Sequence, residues 1–561
     1  MSKFVIYQVF PRLFGNDNIT NKLNGTIEEN GCGKFNFFTP RALTEIKTLG
    51  VTHIWYTGII EHATQNDYTA AGIGKDHTAV VKGKAGSPYA IKDYYDVDPD
   101  LAENVEKRMA EFENLIKRTH KSDLKVIIDF VPNHVARQYH SDAKPEGVLD
   151  LGETDNTNWA FSPLNNFYYL PNQPFSAQFD LQGYTEFPAK ATGNNQFTAS
   201  PTINDWYETA KLNYGVNYME GGQKQFDPIP DTWIKMRDIL LFWASKKVDG
   251  FRCDMAEMVP VEFWNWAITV VKLKYPEILF IAEVYNPAEY RNYLSNGKFD
   301  YLYDKVGMYE MLRNVTSNNY PVREITTAWQ TLAGIENQML NFLENHDEQR
   351  IASGFFSGNG MYAKPAMIVA ATLTMAPVMI YSGQELGENG MECEGFSGLD
   401  GRTTIFDYWS VNSIRNWINN GKFNDEKLTA DQKELRFFYQ KLLNITLNEK
   451  AITHGKMFDL EFANIDTKMF NTHEQYAYFR SLDDDLLLFV LNFDDKHHST
   501  EVKFPEEAFQ YLEIDEGYRY SCKNLLDEYE LISDFTLCSN EVFQIEIPAW
   551  TGKILKLKLL N

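Results

Sequence analysis

The chain has 561 residues, 44% hydrophobic and 23% charged, with a formal net charge of -24. The length exceeds one ordinary core and predicts two or three domains, and the composition is that of a globular protein. So acidic a chain repels phosphate backbones, which argues against nucleic acid as a partner. No run is apolar enough to predict a membrane span.

In chain order, the first residues enter an apolar run at 4–10 with no basic, apolar and small-residue leader pattern before it. That start predicts a cytoplasmic protein. Further short, β-branched or aromatic runs follow at 52–56, 125–131, 250–255, 278–284, 299–303, 339–343 and 378–381. Between them, residues 41–49, 105–120, 232–247, 261–275 and 365–375 carry apolar side chains at helical spacing. Strands and helices that alternate in this way, with eight strands in all, predict a closed parallel (β/α)8 barrel. Residues 134–217 break the rhythm with Asn, Gln, Pro, Gly and aromatic residues, which predicts an inserted domain after the third strand. After residue 383 come a helix at 431–447 and strands at 476–479, 486–491 and 542–547. At 552–560, Leu555, Leu557 and Leu559 share one face and lysines the other. This pattern predicts a C-terminal antiparallel β-sandwich. The expected division is barrel at 1–134 and 217–449, insert at 135–216 and sandwich at 450–561. The five cysteines, Cys32, Cys253, Cys393, Cys522 and Cys538, have neither CxxC nor zinc-ligand spacing and read as reduced thiols.

Four strand ends carry polar clusters: Asp129 to His134, Arg252 to Asp254, Glu283, and Glu344 to Asp347. In a parallel barrel these emerge at the C-terminal mouth. Side chains alternate along a strand, so Arg252 and Asp254 point together, and Cys253 points outward to the helix layer. An adjacent guanidinium favours an ionised Asp254. Cleaving a glycosidic bond needs one carboxyl group to attack or stabilise the anomeric carbon and a second to protonate the leaving oxygen. Asp254 and Glu283, on consecutive strands, supply that pair.

In order and spacing, the four clusters resemble the signature regions of the α-amylase family of glycoside hydrolases, and the likeness covers nearly the whole chain. The resemblance implies that Asp254 is the nucleophile, Glu283 the general acid/base and Asp347 a third carboxylate gripping sugar hydroxyls. His134, His346 and Arg252 match family residues around the same sugar. The segment from Gly86 to Tyr95 resembles the one whose tyrosine, here Tyr89, stacks on it. An α-linked oligosaccharide or polysaccharide is the implied substrate, and no cofactor is required. Asn133 stands where many members place a calcium ligand, which makes calcium a candidate ion. Arg350 resembles an arginine that narrows the site in exo-acting members. Glu257 and Met258 replace the Lys-His pair common in endo-acting amylases, a departure shared with members that act on short oligosaccharides or transfer glycosyl groups. Three readings follow: a retaining hydrolase of maltooligosaccharides, a transferase or isomerase using the same triad, and a binding protein on the same scaffold. Retention of all three acids sets the last apart from the first two.

Overall fold

The computed structural model describes residues 3–317 and 319–560. Eight parallel strands close into a barrel: β1 (Val5–Val9), β2 (His53–Tyr56), β3 (Lys125–Phe130), β4 (Gly250–Cys253), β5 (Leu279–Ala282), β6 (Tyr301–Tyr303), β7 (Met339–Phe342) and β8 (Val378–Tyr381). β8 pairs back onto β1, with Ile6 opposite Met379. Each strand falls within an expected run. The period-2 alternation sorts side chains into two cores. Ile6, Ile127, Ile281, Leu340 and Met379 fill the barrel interior. Their neighbours Val5, Val126, Ile128, Phe280, Ala282 and Ile380 join the layer between strands and helices.

The helices start where local chemistry allows. Thr39 caps Pro40–Thr48 by accepting from Ala42 N, with proline in the first turn, where a missing N–H costs nothing. Thr429 and Gln432 form a reciprocal capping box on Ala430–Asn448. Between β6 and β7 the chain forms helices Glu310–Thr316 and Glu324–Thr331, which the strand spacing alone did not locate.

Two excursions rise from the mouth of the barrel. After β2, Ile60–His62 pairs antiparallel with Ile91–Val97, a ribbon the sequence reading did not anticipate. After β3, the long insert holds only short ladders. In one of them, His134–Ala136 pairs with Thr209–Lys211 and so carries the direction of β3 outward.

The C-terminal region has a six-stranded antiparallel sheet, in the order Lys456–Asp459, Gln475–Leu482, Asp485–Asn492, Thr551–Leu559, Tyr518–Asn524, Phe535–Leu537. A two-stranded ribbon of His498–Lys503 and Val542–Ile547 accompanies it. Ala477, Phe479, Leu488 and Val490 pack with Val502, Ile545 and Ile547 of the ribbon. The alternate residues Tyr478, Leu487 and Phe489 join the core of the barrel layer. Leu555 and Leu557 are buried as expected, whereas Leu559, at the strand end, is exposed. Arg480 fastens the sheet to the barrel. Its buried guanidinium donates to the carbonyls of Leu373 (2.9 Å), Ala451 (3.0 Å), Ile452 (2.8 Å) and Gly455 (2.9 Å). Among the described residues, no helix is long and apolar enough to cross a membrane.

Replacing Arg480 by Met strands the buried carbonyls of Leu373, Ile452 and Gly455, while Ala451 O keeps Gly455 N; each stranded group costs about 1–3 kcal/mol. The expected outcome is a lower Tm and a urea midpoint displaced by at least about 3 kcal/mol of stability. An unchanged melt would show that the clamp is dispensable.

Candidate active site

At the end of β4, the inward direction brings Arg252 and Asp254 to the mouth together, with Arg252 1% and Asp254 6% exposed. Arg252 Nη1 donates to Asp254 Oδ1 at 2.7 Å, and Nη2 stands 2.8 Å from Glu283 Oε2 at the end of β5. Asp129, at the end of β3, lies 3.5 Å from Nη1. The guanidinium sits over the faces of Trp55, Tyr89 and Tyr303, 5.2–5.5 Å from each ring centre, where π-faces favour a cation. Cys253, between Arg252 and Asp254, points the other way and is buried in the outer layer.

Met255 follows Asp254 in a left-handed conformation (φ 43°, ψ 42°), an uncommon backbone state for a side chain of its size. The kink turns its N–H to Glu283 Oε2 at 2.8 Å. Tyr285, two residues beyond Glu283, donates to the other oxygen, Oε1, at 2.5 Å. Glu257 accepts from the backbone N–H groups of Tyr285 and Asn286, at 3.1 and 3.0 Å, and so ties the loop after β4 to the loop after β5.

At the end of β7, Asn345 Oδ1 accepts from the N–H groups of Asp347 and Glu348, both at 2.9 Å, and this turn aims Asp347 into the mouth. His346 Nδ1 meets the amide nitrogen of Gln8 at 2.8 Å. Since that amide donates, the ring proton sits on Nε2, which faces Tyr89 Oη (2.5 Å) and Asp347 Oδ2 (3.1 Å). Burial holds His346 neutral by lowering its pKa well below 6.5, and it brings His134 down to about 3.

Three carboxyl groups contact this one guanidinium, and Asp347 at the mouth feels its charge. Burial raises Asp254 well above the usual carboxylate range. Arg252 opposes that shift, while Glu283 and Asp347 add to it. The expectation that Arg252 holds Asp254 ionised is met in contact but not in balance, because the cation is divided among several acids. Asp129 is pushed up to about 6, chiefly by burial, and Asp347 to about 7, by burial first and Glu283 second. Such groups titrate together, and the cluster retains a proton near neutrality.

Asp254, Glu283, Asp347, Tyr89 and His134 line one cavity of about 450 Å³. Its walls include Trp206 and Glu208 from the insert, Phe396 and Phe406 from the loop after β8, and Lys82 from the excursion after β2. Glu208 is 4% exposed; its Oε2 has no hydrogen-bond partner, and Lys82 Nζ stands 3.8 Å from Oε1. Arg252 and His346 lie behind the lining residues and hold them.

Asn133 is not arranged for calcium. Its Oδ1 accepts from the buried ammonium of Lys211 at 2.5 Å, and its amide nitrogen contacts His134 Nδ1 (3.1 Å) and Gly193 O (2.8 Å). A divalent ion on that oxygen would have to displace the amine it already accepts from, so the residues present do not fit one. Burial brings Lys211 down to about 7. A Cβ on Gly193 would come within 2.9 Å of His134, so only glycine leaves the histidine its seat. Arg350 does not line the cavity. It is buried against Glu344 Oε2 (2.9 Å), Thr403 Oγ1 (2.9 Å) and Ser382 O (3.0 Å), and it joins the loops after β7 and β8 rather than narrowing the cavity.

A parallel barrel that gathers acids, neutral histidines and an aromatic wall around one sugar-sized cavity defines the class of (β/α)8-barrel glycosidases. The family model described as "Alpha amylase, catalytic domain" matches residues 8–455, and the chain belongs to the α-amylase family. Alpha-amylase 3 of Dictyoglomus thermophilum is 26% identical over 475 residues, covering 81% of this chain and 79% of that protein. A cyclomaltodextrin glucanotransferase of Bacillus sp. (strain 38-2) is 23% identical over 403 residues, covering 68% of this chain and 49% of the transferase. A maltogenic alpha-amylase structure from Thermotoga neapolitana superposes with a TM-score of 0.63 at 18% identity, covering 100% of this chain and 99% of that one.

The raised pKa of Asp347 has a consequence for stability. An unfolded Asp releases its proton near about pH 4, whereas the folded chain keeps it to about 7. Between those values the native state binds more protons, so stability is greatest below the window and falls as pH rises through it. The side chain keeps 36% exposure, which tempers the effect. Asp347→Asn removes the penalty: it should melt above wild type at about pH 8, with the gap closing towards about pH 4. Equal melting at both ends of the pH range would contradict the shift.

Proposed function

We propose that this chain is a retaining α-glucan hydrolase, cleaving α-glucosidic bonds of maltooligosaccharides or related α-glucosides through a covalent glucosyl-enzyme intermediate. The observation that carries the reading is the pair Asp254 and Glu283 held by two nitrogens of one guanidinium. Carboxyl groups so tethered suit the short separation of retaining enzymes, about 5–5.5 Å, rather than the wider gap that admits a water molecule between them.

In this reading, Asp254 attacks the anomeric carbon while Glu283 gives its proton to the leaving oxygen. Glu283 then takes a proton from the water that releases the glucosyl group. Arg252, donating to Asp254, favours the charge on the nucleophile. Asp347 accepts from hydroxyls of the same sugar. Neutral His134, in the cavity wall, donates to another, and His346 behind it holds Tyr89 and Asp347 in place; contacts to the sugar tighten as positive charge develops on the ring. Tyr89 offers its flat face to the pyranose. No step passes through a metal or a cofactor. The barrel carries the chemistry, the insert shapes the cavity, and the C-terminal sheets brace the barrel.

The gap between Lys82 and Glu208 fits a bridging sugar hydroxyl, with the ammonium donating and the carboxylate accepting. Glu208→Gln keeps the shape but loses the charge. It should raise KM for maltoheptaose about three- to tenfold with kcat little changed, the signature of lost uniform binding.

The decisive experiment incubates the protein with maltoheptaose and resolves the products by chromatography, beside Asp254→Asn. Shorter maltooligosaccharides from wild type, with a loss of at least about a thousandfold in the variant, are expected. Products longer than the starting sugar would make the enzyme a transferase, as one relative's name describes that protein. Full activity in Asp254→Asn would overturn the mechanism.

A further inference from the structure

Away from the cavity, the ribbon after β2 buries a carboxylate that no donor in the structure meets. Glu61 and Asp93 face each other across the ladder of Ile60–His62 and Ile91–Val97, whose register is broken on either side of Glu61. Asp96 lies three residues further along. Their exposures are 1%, 0% and 3%. One carboxylate oxygen from each lies within 4.8 Å of the others.

Neither oxygen of Glu61 has a hydrogen-bond partner. Neither nearby cation hydrogen-bonds Glu61: one is held by a single oxygen of Asp96, leaving the other oxygen towards the cluster, and one by Asp76. Arg108 grips Asp96 through Nε at 2.8 Å and Nη2 at 2.5 Å, and Lys92 binds Asp76 at 3.1 Å together with the Gly74 carbonyl. Asp93 receives Tyr95 N (2.7 Å), Ser141 Oγ (2.6 Å) and Ala143 N (3.0 Å), which leaves lone pairs on its oxygens but gives nothing to Glu61. Buried carboxylates are paired, protonated or bound to a metal.

The donors are all carboxylate oxygens, without sulfur or imidazole, the set that suits a hard cation. Atoms no more than 4.8 Å apart can all reach an ion at about 2.3–2.6 Å, the calcium–oxygen distance. We infer that Glu61, Asp93 and Asp96 form a calcium site. The ion fastens the ribbon on itself. Because Asp93 also holds Ser141 and Ala143, it anchors the insert to the segment that leads from Tyr89. The place is distinct from Asn133, where an ammonium already sits.

The test uses the full chain, stripped with EGTA, desalted and titrated with calcium chloride by calorimetry and thermal melting. One calcium per chain is expected, with Tm raised by about 5 °C at saturation. Glu61→Gln, which preserves shape, should lose both the binding and the calcium-dependent rise while melting no lower than stripped wild type. A stripped wild type that binds no calcium and melts unchanged overturns the site. So does a Glu61→Gln protein that binds as tightly as wild type, since the ion would then lie elsewhere. Should Glu61→Gln not fold, Asp96→Asn carries the same two outcomes.

Discussion

The active site is organised around one buried cation. Arg252 has no route to solvent and stands among three aromatic faces, with Asp254, Glu283 and Asp129 within 3.5 Å. A guanidinium suits this position because its fork presents fixed donors to several acceptors at once and stays charged when buried. Remove it, and the acids repel one another without relief. The three strands that supply them would then bring together charges that water can no longer screen. The barrel therefore does more than display catalytic groups. It brings strand ends close enough for one cation to discipline them.

Much of this was legible in the sequence, because the barrel is a periodic object. Each expected strand run contains an observed strand, and the inward set could be counted from alternation once Arg252 was taken as facing the mouth. The same rule would have exposed Gln8, two residues after the inward Ile6, as the polar partner of the mouth. It would likewise have exposed Tyr285, two residues after Glu283. Asp129 was seen as part of a cluster, but its share in Arg252 was not. Lys211 and Glu208 gave no such signal. They come from an insert with no period, and their positions depend on which short ladders form, a matter of long-range pairing that single residues do not encode.

Lys211 shows how a family pattern can be satisfied by different means. An oxygen that resemblance assigned to a metal is met by an amine on the opposite strand, and the neighbouring histidine keeps its place. Arg350 shows the reverse case. Its position in the sequence suggested a role in the cavity, yet its donors are used to close the gap between two loops. In both cases the identity of a residue narrowed its chemistry, while only the fold decided its partner.

The opposed directions of Cys253 and Asp254 separate two adjacent residues into unconnected chemical environments. Burial raises the Cys253 thiol well above its ordinary pKa, so it offers little thiolate, and it faces helices rather than the cavity. An electrophilic sugar mimic that enters the mouth would meet a carboxylate and not a sulfur, although one peptide bond joins the two. A covalent label aimed at this pocket is thus steered to the carboxylate by geometry, with the neighbouring thiol out of reach.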